Sequence, residues 1–181
     1  LPSAAGGILN KKATTKGFAL FGATYNATIK NLGVKDVQMS GVASAYSNNR
    51  AGMAAFMNGT TIKDSYVENI NLVDATNTAN SAFVTSDAGF VCFSGNGASV
   101  INNCYVKDAH VEGGDAGCFG GFMDNMTINN CYVSGTSTVK SNYDNTNNKY
   151  YAGCFCGGGT SSGYINNCYS LATVASGSTV N

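Results

Sequence analysis

The sequence predicts an all-β fold: a parallel, right-handed β-helix, or β-solenoid, of about five coils. Three observations carry the prediction. The run Ile-Asn-Asn-Cys-Tyr-Val stands at 101–106 and 128–133 and returns as Ile-Asn-Asn-Cys-Tyr-Ser at 165–170, with looser copies at 62–67 (Ile-Lys-Asp-Ser-Tyr-Val) and 29–34 (Ile-Lys-Asn-Leu-Gly-Val). A second signature precedes each copy: Gly-Phe-Ala-Leu-Phe at 17–21, Ala-Gly-Met-Ala-Ala-Phe at 51–56, Ala-Gly-Phe-Val-Cys-Phe at 88–93, Ala-Gly-Cys-Phe-Gly at 116–120 and Ala-Gly-Cys-Phe-Cys at 152–156. No window keeps apolar residues at helical spacing without a Gly or Asn breaking it. Repetition every 28 to 37 residues or so marks a stacked array.

Residues 1–16 carry no repeat and read as a lead-in or cap. Residues 17–181 read as one solenoid domain of five repeats: 17–51, 52–88, 89–116, 117–152 and 153–181. Each repeat is expected to supply three short strands. In the first, Phe18, Leu20 and Phe21 make an apolar strand and Ile29 opens the second. Val37 and Met39 then alternate with Asp36, Gln38 and Ser40 as a half-buried third strand. No single repeat can bury its apolar side, and stacking like on like solves this. Length varies mainly at 43–50, 75–87 and 140–151, polar excursions that are expected to leave the stack at one shared corner.

Composition agrees. Charged residues are 11% of the 181, against the usual quarter or so, and Gly and Asn suit the left-handed corners of a solenoid. Ten basic and ten acidic residues leave no net charge, which argues against a nucleic-acid partner. No apolar run reaches the roughly 18 residues of a membrane span. The chain opens on Leu1 and reads as a processed product or an excised piece, secreted or at the cell surface.

The columns follow from the motif. Ile29, Ile62, Ile101, Ile128 and Ile165 and the cysteines Cys104, Cys131 and Cys168 are expected inside, as one core ladder. Cys118 and Cys154 share a second slot. Stacked strands lie within reach of vertical disulfides, so both a reduced ladder and bridges fit, and the odd count of seven leaves one thiol over. Asn31, Asn103, Asn130 and Asn167 are expected to stack at a bend and pass amide hydrogen bonds along the array, with Asp64 interrupting. Tyr66, Tyr105, Tyr132 and Tyr169 should form an outward file. Such a file either braces neighbouring strands or meets a protein or a glycan. Three Asn-x-Thr triplets, beginning at Asn26, Asn58 and Asn125, fall in similar turns and match the N-glycosylation triplet; in a eukaryotic chain they would be exposed acceptor sites, and in a bacterial one, the favoured reading, they are turn chemistry.

Catalysis finds little footing. The acids occupy different repeat positions, Arg50 is the sole arginine, and His110 has no evident acid partner within its repeat. No catalytic, metal or cofactor residues are assigned.

The alternation of Gly-Phe-x-x-Phe with Ile-x-Asn-Cys-Tyr and Val-x-Gly resembles the GLUG-type repeat of large bacterial surface and adhesin-like proteins and of non-catalytic regions of some secreted peptidases. The resemblance covers about residues 17–176 and departs where Leu would follow Gly, at Phe18, Met53, Phe90, Cys118 and Cys154. It implies a β-helical stalk or adhesive module. The expected function is therefore structural: a bacterial, secreted or cell-surface module, an adhesin stalk or a fibre subunit that joins end to end with its own copies or with further repeats. A carbohydrate-binding module using the tyrosine file is the alternative, and a polysaccharide-acting enzyme ranks third. A host or matrix protein or glycan would be the outside partner.

Overall fold

The computed structural model describes residues 17–42, 49–76, 86–95, 97–141, 151–159 and 162–175. The lead-in at 1–16 and most of the three polar excursions lie outside them. The described residues form a parallel β-solenoid without a helix.

Four sheets run along the stack, and every strand pairing is parallel. Sheet one holds Gly17–Phe18, Asn49–Ala51, Ser86–Ala88, Asp115–Gly117 and Ala152–Gly153. Sheet two holds Thr24–Tyr25, Ala54–Asn58, Val91–Ser94, Gly120–Met123 and Cys156–Gly159. Sheet three holds Thr28–Lys30, Thr61–Lys63, Ser99–Asn102, Met126–Asn129 and Tyr164–Asn166. Sheet four is built on the long strands Gly33–Val42, Tyr66–Thr76 and Tyr105–Gly113. Two split pairs continue it, Tyr132–Ser134 with Thr138–Ser141 and Tyr169–Ser170 with Thr173–Ala175.

Three strands per repeat were expected and four are found. The Ala-Gly signature does not open a single apolar strand. It ends a strand of sheet one, and the chain turns before sheet two begins, so Leu20 sits on the corner and is exposed. Small residues make that corner possible. A Cβ on Gly52 would lie 2.5 Å from the Gly89 carbonyl oxygen, and one on Gly89 would lie 2.4 Å from that of Cys118. Successive backbones approach too closely there for any side chain.

Sheet three carries the repeat in register. Ile29 pairs with Ile62, Ile62 with Ile101, Ile101 with Ile128 and Ile128 with Ile165. In sheet four the inward column runs Val34, Val67, Val106, Val133 and then Ser170. A second inward column runs Met39, Leu72, Val111, Val139, Val174. Ile62, Val67, Ile70, Leu72, Ile101, Val106 and Val133 are all buried, and each full burial of such a side chain is worth about 1.5–3 kcal/mol.

The aromatic column corrects the sequence alignment. Gly117 pairs with Ala88, which sets Cys118 level with Gly89 and lays Phe119 on Phe90, ring centroids 5.3 Å apart. Phe155 continues the column, stacked on Phe119 at 5.1 Å. The motif alone had matched Cys118 to Phe90. Ring-on-ring packing and the backbone ladder prefer the register one residue further on.

Left-handed residues make three of the bends. Asn31, Asp64, Asn103, Asn130 and Asn167 (φ 50 to 54°) join sheet three to sheet four. Asn26, Gly59, Asn125 and Ser162 turn sheet two into sheet three. Asp36, Asn69, Asp108 and Gly135 bend sheet four midway. Asn and Asp tolerate this conformation better than other residues with a Cβ. Two of the three Asn-x-Thr triplets begin on a left-handed asparagine, Asn26 and Asn125, and Asn58 lies one residue ahead of left-handed Gly59.

Candidate functional site

The outer face of sheet four gathers most of the chemistry-bearing side chains. Strand alternation puts Val106, Ala109 and Val111 inward and Tyr105, Lys107, His110 and Glu112 outward. Register then stacks each outward residue on its counterpart. Tyr66 pairs with Tyr105, Tyr105 with Tyr132 and Tyr132 with Tyr169.

The four rings form one continuous stack. Centroid separations are 4.9, 5.2 and 5.4 Å, and interplanar angles are 3°, 11° and 7°. The first repeat has Gly33 in this slot, and a Cβ there would clash with the Tyr66 ring at 2.2 Å, so Tyr66 lies over its backbone. Lys35 Nζ sits 5.3 Å from the Tyr66 centroid. Within the file each ring face is covered by the next ring. Edges and hydroxyls are what face solvent, and Tyr169 is the exposed member at the end.

Hydrogen bonds and ion pairs run across repeats beside the file. Tyr105 donates to Glu68 Oε1 at 2.7 Å, and Lys35 Nζ lies 2.6 Å from Glu68 Oε2. Lys35 and then Tyr105, by their hydrogen bonds, hold the Glu68 carboxyl below its usual range, and Glu68 raises Lys35 in turn. Burial, followed by the bond to Glu68, pushes the Tyr105 hydroxyl above its usual 10. Further along, His110 Nε2 lies 3.0 Å from Glu112 Oε1, Lys140 Nζ lies 3.5 Å from Glu112 Oε2, and His110 Nδ1 meets Thr138 Oγ1. His110 thus has an acid partner, contrary to the sequence reading. Residues two apart on a strand share a face, and that spacing was the available signal.

At the bend beside the file, Asn103 Nδ2 donates to Asp64 Oδ1 (3.2 Å) and Asn167 Nδ2 to Asn130 Oδ1 (3.4 Å). Asn130 Nδ2 crosses to Asn102 Oδ1 at 3.1 Å, and Asn166 Nδ2 bonds Asn129 Oδ1 at 2.9 Å. The amides therefore form two linked columns rather than one. Asp64 takes the same left-handed conformation as the asparagines and accepts within the ladder.

The predicted core residues lie beneath. Ile62, Ile101, Ile128, Cys104 and Cys131 are buried, Ile29 and Cys168 are half-buried, and Ile165 is 51% exposed on the last described repeat. All seven cysteines are free thiols. Burial pushes Cys118 and Cys156 each up to about 12. Two buried charged residues escaped the sequence reading. Arg50 donates to the Val73 and Glu112 carbonyls, and Asp115 accepts from the Tyr151 amide at 3.1 Å, its carboxyl raised by burial. Among the described residues no group of three or more His, Cys, Asp or Glu is placed to hold a metal ion. No protein-family model, curated protein or solved structure matches the chain.

Proposed function

We propose that the chain is a structural module: a right-handed solenoid of five coils, secreted or on a bacterial surface, serving as a stalk or as a fibre subunit. The observation that carries this is the outer edge of the last described repeat. Ile165 and Val174 belong to columns whose inner members, Ile62, Ile101 and Ile128 in one and Leu72, Val111 and Val139 in the other, are buried, yet they are 51% and 45% exposed. Among the described residues no strand pairs with their outer side, which leaves an apolar edge. Another repeat of the same kind, in a longer chain or in a second copy, extends that edge like on like. Such head-to-tail addition is heterologous and builds an open rod.

The outer face of sheet four supports the same reading. Its tyrosines, ion pairs and amides are spent on the neighbouring repeat, which stiffens the stack. Sugar stacking needs free ring faces, and within the file those faces meet other rings. This weighs against the carbohydrate-binding alternative. The resemblance to GLUG-type surface proteins adds to the structural reading.

Electron microscopy of the purified chain over a concentration series tests it. Filaments with an axial repeat that is a small multiple of the coil spacing are expected for a fibre subunit. Isolated particles at every concentration would remove self-assembly and leave the stalk. Specific capture on a glycan array that Tyr105→Ala with Tyr132→Ala abolishes in a folded protein would overturn the structural reading.

A further inference from the structure

The slot preceding each position of the tyrosine file is filled by Leu32, Ser65, Cys104, Cys131 and Cys168. Ser65 and the three thiols sit alike. Ser65 Oγ donates to the Lys63 carbonyl at 2.8 Å and accepts from the Leu32 amide at 3.2 Å. Cys131 Sγ donates to Asn129 O at 3.0 Å and accepts from the Cys104 amide at 3.4 Å. Cys168 Sγ donates to Asn166 O at 3.0 Å and accepts from the Cys131 amide at 3.3 Å. The Cys131 and Cys168 sulfurs thus each hang over the cysteine of the repeat before and accept from its amide.

The backbone bonds Asn130 N to Asn166 O (3.0 Å) and Tyr169 N to Cys131 O (3.3 Å) hold Cys131 and Cys168 level. Adjacent parallel strands lie about 4.8 Å apart, inside the Cα range a disulfide accepts. Access then separates the two possible pairs. Cys104 and Cys131 are buried, whereas Cys168 is half-buried beside the exposed Ile165, Leu171 and Val174. Thiol–disulfide exchange has to begin at a sulfur that an oxidant can reach.

We propose that Cys131 and Cys168 are a disulfide site that, while no further repeat covers that edge, fastens the last described repeat to its neighbour in the presence of a small disulfide oxidant such as glutathione disulfide. Cys168, its proton given to water, attacks one glutathione sulfur; the glutathione S–S bond breaks and one glutathione thiolate leaves. Cys131, likewise deprotonated, attacks Cys168 Sγ in the mixed disulfide and expels the second glutathione. The two cysteines lose two electrons and two protons, and the oxidant becomes two thiols. Cys104 stays reduced because Cys131 holds one partner. Burial raises the Cys168 thiol, and the bond to Cys104 together with burial raises Cys131, so the reaction quickens with rising pH.

The test incubates the whole chain in glutathione buffers of stepped redox poise, alkylates free thiols and maps linked peptides by mass spectrometry. Hydrogen exchange is followed in parallel. The expected result is a Cys131–Cys168 link, with amides of Tyr164–Asn166 and Thr173–Ala175 exchanging on the order of 100-fold more slowly than in the reduced chain. Cys168→Ser, which places at this slot the residue that Ser65 already supplies in another repeat, is expected to fold and to lose that oxidant-dependent slowing. Cys168 remaining alkylatable under oxidising poise, a link only between other cysteines, or a Cys131–Cys168 link without slower exchange would each overturn the proposal. The peptide map of the unmutated chain decides the first two outcomes without any variant.

Discussion

Ile101, Ile128 and Ile165 each begin the same five residues, Ile-Asn-Asn-Cys-Tyr, and end in different surroundings. The first two are 0% and 1% exposed, while the third is 51% exposed. Backbone conformation does not distinguish them. All three lie in sheet three, and the asparagines that follow, Asn103, Asn130 and Asn167, share φ of 50 to 51°. What differs is the neighbour. Ile101 and Ile128 have a described strand on both sides, and Ile165 pairs only with Ile128 among the described residues. The pentapeptide therefore specifies a strand, a corner and an inward side, and the stack supplies the burial. In a solenoid, stability is close to a sum over repeats and their interfaces.

Isoleucine truncation breaks this comparison most strongly. Ile128→Ala should cost about 2–5 kcal/mol in urea unfolding, the range for deleting a buried isoleucine. Ile165→Ala should cost under about 1 kcal/mol. Equal losses would mean that the last repeat is as enclosed as the fourth.

The tyrosine file gives a smaller contrast of the same kind. Tyr105 stacks on two rings and Tyr169 on one. At about 0.5–1.5 kcal/mol per aromatic pair beyond burial, Tyr105→Ala should lose roughly twice the stacking energy of Tyr169→Ala. Unfolding of the two variants and of the double variant measures the ratio.

The corner asparagines sharpen the point that conformation is local. Asn103→Ala places an ordinary residue in the left-handed region and should cost about 1 kcal/mol or somewhat more. Asn103→Gly keeps the conformation at ease and should lose less, and thermal melts distinguish the two. Equal losses would make the amide bond to Asp64, which both variants lack, the dominant contribution.

The smallest effect belongs to the surface pair of exposed Lys35 and half-buried Glu68. Glu68 is held below the usual 4.5, so its contribution is present above that value and lost as pH falls through the lower folded value. Lys35 is held above the usual 10.5, so its contribution is present below that value and lost as pH rises through the higher folded one. Glu68→Gln should flatten the acid edge of the stability–pH curve and weaken its salt dependence, with little change at neutral pH. A pH curve indistinguishable from that of the unmutated protein would assign the acid edge to other carboxylates.

Much of the fold was legible because a repeat announces which residues must stack. The isoleucine register, the outward tyrosines and the inward cysteines all follow from one period and strand alternation. The first sheet was missed because its strands are two or three residues long and rich in Ala and Gly, too short to show an apolar period. Cys118 was aligned with Phe90 because the letters matched, whereas ring stacking set Phe119 there.

By itself the sequence determined the repeat, the parallel stacking it demands and the left-handed corners, since these depend on local periodicity and on the conformations that Asn and Gly accept. Only the tertiary structure decided the number of sheets, the aromatic register, the partners of His110 and the burial of Arg50. It alone also separated an enclosed Ile-Asn-Asn-Cys-Tyr from an open one. Register and burial belong to pairs of neighbouring segments, through their hydrogen bonds and packed side chains, and no single segment carries them.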